Sequence, residues 1–424
     1  MSKQTTLRTA LAGLIGNVLE WFDFAVYGYF ASNIGHQFFP KSDPAAQQFL
    51  AFAVFALGFL ARPAGSLVLG RIGDRIGRRP LLTLSIALMG GATLLLGLLP
   101  NYDQIGLAAP MLLMLMRVIQ GFSLGGEFTG SMVYTTEQSS PLMRGLVSSS
   151  TAAGTTIGFI LGSASAWAIN ASLMPADVDA WGWRIPFVGS VVLVIAGYFL
   201  RRGISETAEG LKAKTLRSPL VTSLVADWRA IVQTFGIIAM TNAAYYLTFT
   251  YAVERRKALA AASGASASGE EFLLANTISL VVVLVAKPLG GWLSDLIGRR
   301  RLMIVLTVAV MAVIYVAQQM MLYGAPGTFI LGQMLLAVPI GMALGLQGAM
   351  VVEIFPLKTR VTSMSFAYSV TLALAGGTAP MVSTWLIETL HQPLAPAFYI
   401  MAYGLVGLAI MWPMAETNAR RLDE

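Results

Sequence analysis

Twelve apolar stretches, most of about twenty residues or more, restrict the fold of this chain more than any other feature. A helix needs about 20 apolar residues to cross the roughly 30 Å hydrocarbon core of a bilayer. The alternation of apolar and polar residues that is typical of membrane barrels does not occur in these stretches. We therefore predict an all-α polytopic membrane protein with twelve transmembrane helices. The stretches are called spans 1 to 12 and cover residues 11–35, 47–71, 81–100, 107–135, 145–170, 186–202, 231–253, 272–294, 302–323, 328–352, 362–388 and 394–414.

The composition excludes soluble proteins and most site chemistries. Charged residues make up 12% of the chain and hydrophobic residues 56%, whereas soluble proteins carry about 25% charge. The net charge of +7 does not indicate nucleic-acid binding, because the basic residues lie in short loops between spans. The chain has no cysteine and only two histidines. These counts exclude a thiolate metal site and a cysteine nucleophile and argue against an imidazole-rich metal site. We expect no metal, no cofactor and no enzymatic activity.

The distribution of Lys and Arg predicts the orientation, because short cytoplasmic loops are enriched in these residues. If both termini are cytoplasmic, most of the 28 basic residues fall on that side. Only five are then assigned to the outer side: Lys41, Arg184, Arg255, Arg256 and Lys257. The cluster at 255–257 violates the rule locally, and we interpret it as a solvated end of span 7.

Two motifs occur twice in the chain, which indicates a duplication. The sequence GRIGDRIGRR at 70–79 follows span 2, and GWLSDLIGRR at 291–300 follows span 8. An E-x6-R pair follows span 4 as Glu137 and Arg144, and another follows span 10 as Glu353 and Arg360. Two independent features that repeat at a similar separation predict two pseudo-symmetric halves. We place a six-helix bundle at 1–203, a cytoplasmic linker at 204–229 and a second six-helix bundle at 230–424.

The loop motif G-x-x-x-D-R-x-G-R-R resembles the signature of the major facilitator superfamily. Within it, GNVLEWFDF at 16–24, RVIQGFSLGGE at 117–127, WGWRIPF at 181–187 and EIFP at 353–356 resemble the metabolite:proton symporter family. The string TNAAYY at 241–246 is most similar to its proline/betaine branch. The resemblance implies the major facilitator fold, a bacterial inner membrane location and a monomer. It also implies a small-molecule substrate and protons as partners, with no nucleic acid.

The charged residues of the repeated loops form a candidate cytoplasmic gate. Asp74 can accept hydrogen bonds from amides at a neighbouring helix N-terminus, and the following arginines can reach Glu137. Such contacts would hold the halves together when the carrier faces outward. The alternative is that the arginines only set the topology. The predicted gate comprises Asp74, Arg75, Arg78, Arg79, Glu137, Arg144, Asp295, Arg299, Arg300, Glu353 and Arg360.

Ionisable residues inside spans are costly in a bilayer, so each should have a partner or a function. Glu20 and Asp23 lie near the middle of span 1 and, three positions apart, share a helix face. A carboxylate there can bind a proton on one side of the membrane and release it on the other. We predict proton coupling by Asp23, with Glu20 and Glu127 as further candidates. The alternative for Asp23 is a fixed ion pair with Arg117.

Basic and polar residues of several spans are candidates for substrate binding. Arg117 and Gln120 lie three apart on span 4, where a guanidinium could hold a substrate carboxylate. Arg62 either binds substrate or forms a salt bridge with Glu127. Lys287 occupies a place in span 8 that resembles that of Arg62 in span 2.

Aromatic and amide groups complete the predicted binding site. Asn242, Tyr245 and Tyr246 lie within span 7, where they could bind a substrate or enclose an ammonium group. Tyrosines also occur in interfacial belts without a further role. The remaining candidates are Trp21, Tyr27 and Tyr368.

We therefore predict a proton-coupled symporter that imports a small carboxylate-bearing metabolite by alternating access. The substrate is an organic acid with two or three carboxylates, or a zwitterion such as proline or betaine. The alternative is a proton antiporter that exports drugs or metabolites. Such antiporters carry a glycine- and proline-rich motif in span 5, and no proline follows Gly158 or Gly162 here.

Overall fold

The computed structural model describes residues 17–41, 43–76, 78–125, 127–202, 220–262, 269–323 and 325–418; the side chains of residues 70–83 and of Glu127 lie outside the described part. Within these ranges the regular structure is helical and no strand occurs. Eight described helices are long and apolar enough to cross a membrane, and they correspond to spans 2, 4, 5, 7, 8, 9, 10 and 11. Shorter apolar helices correspond to spans 3, 6 and 12, and a helix over 17–29 corresponds to span 1.

The helices of the first half cover 17–29, Ala31–Phe38, Pro44–Leu60, Arg62–Ile76, Arg78–Leu98, Ala108–Ser123, Glu127–Glu137, Arg144–Ser172, Ile185–Gly189 and Val191–Arg202. The helices of the second half cover Leu220–Ala226, Trp228–Tyr246, Ala252–Ala262, Gly269–Ile297, Arg299–Tyr323, Pro326–Ile354, Arg360–Thr371, Ala379–Leu390 and Ala395–Met411. Short helices at Tyr102–Ile105, Pro175–Ala180 and Gly182–Arg184 lie in the connections. The second half thus begins in a helix from Leu220, within the segment predicted as a linker.

Two pairs of helices make extensive contacts between the halves in the described part of the chain. Span 5 packs along span 8, and span 2 packs against span 11. The first contact requires a glycine: a Cβ on Gly145 would lie 2.4 Å from the carbonyl oxygen of Gly291, closer than real side chains approach. Spans 1, 4, 7 and 10 contribute side chains to the centre between these pairs. The central residues therefore lie between the two contacts.

Among the described residues, two spans contain a turn of π-helix. These turns lie at Leu247–Tyr251 in span 7 and at Leu372–Gly377 in span 11. A π turn inserts one extra residue into the helical hydrogen-bond pattern and is frequent at functional sites. Both turns interrupt helices that line the contact between the halves, so they mark places where these helices can bend.

Candidate functional site

A small cavity lies at the centre of the molecule, between the halves. Its volume is about 20 Å³, enough for little more than one water molecule. Six of the predicted substrate residues lie together in its wall: Trp21, Asn242, Tyr245, Tyr246, Lys287 and Tyr368. The remaining wall residues were not predicted: Phe128, Ala152, Thr155, Phe159, Leu344 and Gln347.

Aromatic rings form most of the cavity wall. The rings of Phe159 and Tyr245 meet edge to face with centroids 5.0 Å apart, and Trp21 lies 6.0 Å from Phe159. On the other side, Phe128 and Tyr368 lie 5.4 Å apart. Ring faces attract cations, and alkylated ammonium groups in particular. The chemistry of this wall therefore suits an apolar or cationic group.

Lys287 supplies the basic group of this cavity. Its side chain is buried, and its Nζ donates to the carbonyl oxygen of Ala152 at 2.6 Å and to Thr155 Oγ1 at 3.0 Å. Both acceptors belong to span 5 of the other half and both are neutral. Among the described residues, no carboxylate forms an ion pair with Lys287. A buried ammonium without an anionic partner favours the binding of an anion.

Two amides lie beside this ammonium in the cavity wall. Asn242 Nδ2 donates to the carbonyl oxygen of Ile238 at 3.0 Å and approaches Gln347 Oε1 at 3.4 Å. Gln347 is buried in span 10, a strongly apolar helix. Its polarity within such a helix was a signal in the sequence that could have identified it. Phe128 and Phe159 gave no such signal, because aromatic residues are common in apolar spans.

Asp23 and Arg117 form an ion pair at the side of the cavity and do not line it. Arg117 Nη1 lies 3.0 Å from Asp23 Oδ2, and Gln120 Nε2 donates to Asp23 Oδ1 at 2.9 Å. Gln120 also accepts from Arg117 at 2.9 Å and donates to Thr93. Both charged side chains are completely buried. The carboxylate that we predicted as a proton site is therefore paired with the guanidinium that we predicted as a substrate anchor.

A second ion pair lies one helical turn away, between Glu20 and Arg62. Their closest atoms, Arg62 Nη1 and Glu20 Oε1, are 2.9 Å apart, and both side chains are buried. The ring of Phe24 separates the pairs, with Arg62 Cζ at 4.7 Å and Arg117 Cζ at 4.3 Å from its centroid. Glu127, the predicted partner of Arg62, lies outside the described side chains, so that pairing stays a prediction.

Four predicted substrate residues lie outside the cavity wall: Arg117 and Gln120, which bind Asp23, and also Arg62 and Tyr27. Arg62 places its guanidinium carbon 5.1 Å from the ring of Trp21, behind the wall. Tyr27 lies under the guanidinium of Arg117, at 4.4 Å, and its hydroxyl donates to the carbonyl oxygen of Ala51. Both side chains support the ion pairs of the first half in this conformation.

The end of the molecule that carries Asp295 is called the inner end, and there the halves are tied together. Asp295 accepts from the backbone amides of Gly145 and Leu146 at 2.9 and 3.0 Å. These amides begin the helix of span 5, so a carboxylate of one half caps a helix N-terminus of the other. Arg299 Nη1 holds the same carboxylate at 2.7 Å.

The repeated E-x6-R residues make further contacts at the inner end. Glu353 accepts from Arg299 at 3.2 Å and lies 4.0 Å from Arg144 of the first half. Arg360 of the second half pairs with Glu137 of the first, with Nη1 and Oε1 2.6 Å apart. The contacts of Asp295, Arg144–Glu353 and Arg360–Glu137 are together called the inner lock. The predicted gate residues Asp74, Arg75, Arg78 and Arg79 lie outside the described side chains.

Arg300 does not join the inner lock, so its predicted place in the gate is wrong for this conformation. Its Nε donates to the carbonyl oxygen of Met411 at 2.9 Å, and its guanidinium also bonds the carbonyl of Trp412. Its backbone amide donates to Glu416. Arg300 therefore holds the segment after span 12 against the second half, because its side chain points away from the interface between the halves.

Comparisons with known proteins agree with this architecture. The family model for sugar and other transporters matches residues 9–209, and the major facilitator superfamily model matches residues 258–422. The proline/betaine transporter of Escherichia coli strain K12 is 33% identical over 98% of this chain and 85% of its own length. The citrate-proton symporter of Klebsiella pneumoniae is 35% identical over 93% of this chain and 88% of its own length.

The fold is also found among solved structures. The proton:xylose symporter XylE of E. coli superimposes with a TM-score of 0.76, at 19% identity, over 100% of this chain and 99% of its own. The relatives are transporters, which confirms the prediction of a multi-pass membrane carrier instead of an enzyme. The chain belongs to the major facilitator superfamily and, within it, to the metabolite:proton symporter family.

Proposed function

We propose that this protein imports a small carboxylate-bearing metabolite together with protons, by alternating access. The observation that carries the proposal is Lys287, a buried ammonium at the cavity whose described acceptors are neutral. A substrate carboxylate is the group that would best satisfy it. The termini would face the cytoplasm of a bacterial inner membrane, and the protein would act as a monomer.

The charges around the cavity favour a substrate with one carboxylate and one cationic group. The Arg62 and Arg117 guanidinia already have carboxylate partners in Glu20 and Asp23. Lys287 therefore remains as a single anchor for a single carboxylate. The aromatic wall suits an alkylated ammonium group. Of the substrates named for the relatives, proline and betaine have this combination, whereas citrate carries three carboxylates.

We assign proton coupling to the Asp23–Arg117 pair, with Glu20–Arg62 as a second candidate and Glu127 as a third. Protonation of Asp23 removes the charge that holds Arg117 in place. The guanidinium would then be free to leave Asp23, and the packing of spans 1 and 4 beside the cavity would change. Proton binding and substrate binding are coupled in this way, because the arrangement of these spans differs between the two protonation states.

The test is uptake by purified protein in liposomes under an imposed proton gradient, with betaine, proline, citrate and 2-oxoglutarate as substrates. We expect accumulation of betaine or proline. In Lys287→Gln, the KM for that substrate should rise by about tenfold or more, since a hydrogen bond to a charged group contributes about 1.5–3 kcal/mol. Lys41→Gln, at an exposed lysine that pairs with Asp103, is the matched control.

The outcomes separate the rival functions. Uptake of citrate alone, with an unchanged KM in Lys287→Gln, would contradict the single-anchor site. No proton-driven uptake of any of the four substrates would contradict import of this class. A thermal unfolding curve for each variant shows whether a loss of uptake reflects a loss of folded protein.

A further inference from the structure

The outer end of the molecule, opposite the inner lock, is held closed by an acid and a base from span 7. Glu254 is completely buried, and its Oε2 accepts from the backbone amide of Ser32 at 3.1 Å. Its Oε1 accepts from Lys257 Nζ at 2.7 Å. Lys257 Nζ also donates to the carbonyl oxygen of Tyr29 at 3.0 Å. Residues of the second half thus bind the backbone of the first half on both sides of Phe30.

The backbone at this position offers a hydrogen-bond partner to both side chains. The helix over 17–29 ends at the turn of Phe30, and a new helix begins at Ala31. The carbonyl groups at the end of one helix and the amides at the start of the next lack partners within their own helices. Lys257 donates to the carbonyl of Tyr29, and Glu254 accepts from the amide of Ser32. Each charge also has the favourable sign for the helix end that it meets.

Spans 1 and 7 also pack against each other in this region. A Cβ on Gly28 would lie 2.5 Å from Thr250 Cγ2, so the glycine at position 28 leaves room for the side chain of Thr250. Asn276 of span 8 adds a hydrogen bond of 2.9 Å to the hydroxyl of Tyr29. The outer end is therefore closed by packing as well as by charge in the conformation that also has the inner lock formed.

The position of the π turn allows the charged segment to move. Glu254 and Lys257 lie on the helix Ala252–Ala262, which follows the π turn Leu247–Tyr251 directly. Within the π turn, the carbonyl oxygen of Thr248 accepts a hydrogen bond from Gln333 Nε2 at 3.1 Å. A helix interrupted in this way can bend at the interruption. The segment that carries the two charges can therefore swing away from span 1 while the rest of span 7 stays packed.

We propose that Glu254 and Lys257 form an outer lock, the counterpart of the inner lock, and that its release opens the carrier to the outside. In both locks, a carboxylate of the second half accepts hydrogen bonds from backbone amides at the start of a helix of the first half. This assigns a function to the basic cluster at 255–257, whose interpretation as a solvated helix end is wrong for Lys257. Glu254 and Lys257 are positioning residues, since they act through the backbone of span 1.

The chain has no cysteine, so single introduced cysteines can report the opening of each end. Thr250→Cys reports the outer end and Ser148→Cys the inner end. Both residues are buried, and neither hydroxyl has a hydrogen-bond partner among the described residues. The measurement is the rate of maleimide labelling of purified protein in detergent, where both ends are accessible to the reagent.

Glu254→Gln should raise the labelling rate of Thr250→Cys by about tenfold or more, the effect expected for loss of a charged hydrogen bond. Labelling of Ser148→Cys should stay unchanged or fall, because an outward-open carrier keeps the inner lock. Lys257→Met should act in the same direction. Glu271→Gln removes an exposed carboxylate at the start of span 8 and should change neither rate.

Two results would overturn the outer lock. One is an unchanged labelling rate of Thr250→Cys in Glu254→Gln. The other is an equal rise at both cysteines, which would show general loosening of the fold instead of opening at one end. The measurement needs no substrate, so it is independent of the carboxylate site proposed for Lys287.

Discussion

The Asp23–Arg117 pair offers the sharpest test of how charge is held inside this protein, through the substitution Asp23→Asn. Both side chains are completely buried, and the two carboxylate oxygens accept from Arg117 and Gln120 respectively. An asparagine keeps one acceptor oxygen for either Arg117 or Gln120, and its NH2 group then faces the nitrogen of the other residue. It also leaves the guanidinium charged without its anion, a loss of about 3–5 kcal/mol for a buried pair.

Part of that cost is offset by the rings that enclose Arg117. Its guanidinium carbon lies 4.3 Å from the centroid of Phe24 and 4.4 Å from that of Tyr27, and such contacts contribute about 0.5–2 kcal/mol. We therefore expect Asp23→Asn to lower the free energy of unfolding by about 2–4 kcal/mol. Adding Arg117→Gln removes the uncompensated charge, so the double variant should recover most of the loss.

The assay is unfolding of the purified protein in detergent for the single and double variants, in a double-mutant cycle. The control is the exposed pair of Lys41 and Asp103, whose atoms are 2.7 Å apart but whose side chains are 74% and 60% exposed. Neutralising that pair should cost less than about 1 kcal/mol. A double variant at 23 and 117 that is no more stable than Asp23→Asn would refute the reasoning.

Three further outcomes follow from the described contacts. Hydrogen bonding to Asp179 raises the pKa of His36 above its ordinary value of 6.5. The stabilisation from this contact is therefore complete below about pH 6.5 and is lost as the pH rises through the folded-state pKa. His36→Ala should lower the melting temperature more at about pH 6 than at about pH 8, and an equal loss at both pH values would contradict the assignment. Asp295→Asn should increase maleimide labelling of Ser148→Cys by about tenfold, because it weakens the carboxylate contacts of the inner lock. Gly121→Ala should destabilise the fold by about 1–3 kcal/mol in thermal unfolding, since its Cβ would lie 1.8 Å from a carbonyl oxygen of span 2.

The sequence predicted the spans and the duplication because both depend on local patterns. Apolar length marks a span wherever the helix packs, and the motif copies around Asp74 and Asp295 can be compared without coordinates. The E-x6-R pairs were likewise visible, and in the described conformation Arg360 of the second half contacts Glu137 of the first.

The ion-pair partners of the buried charged residues could not be predicted, because they depend on how the helices pack and local sequence patterns do not show this. Residue counts give the depth of Arg62 but not the direction in which it leaves its helix, and its observed partner is Glu20. Arg300 follows Arg299 in the chain but points toward Met411, since adjacent helical positions face different sides. The π turn before Glu254 has no signature in the sequence, so the outer contacts of span 7 could only be found in the structure.

Lys287 connects the binding site to the movement of the halves. A substrate can shift a conformational equilibrium only by as much as it binds one state better than the other. Lys287 belongs to span 8, and in the closed conformation its ammonium is bound to Ala152 and Thr155 of span 5. A carboxylate in the cavity would compete for that ammonium, and the cavity of about 20 Å³ must widen to admit it. In the proposed function, the substrate carboxylate neutralises the buried ammonium of Lys287 and at the same time weakens its contact with span 5 of the other half. The substrate would then bind the closed and open conformations with different strength, as alternating access requires.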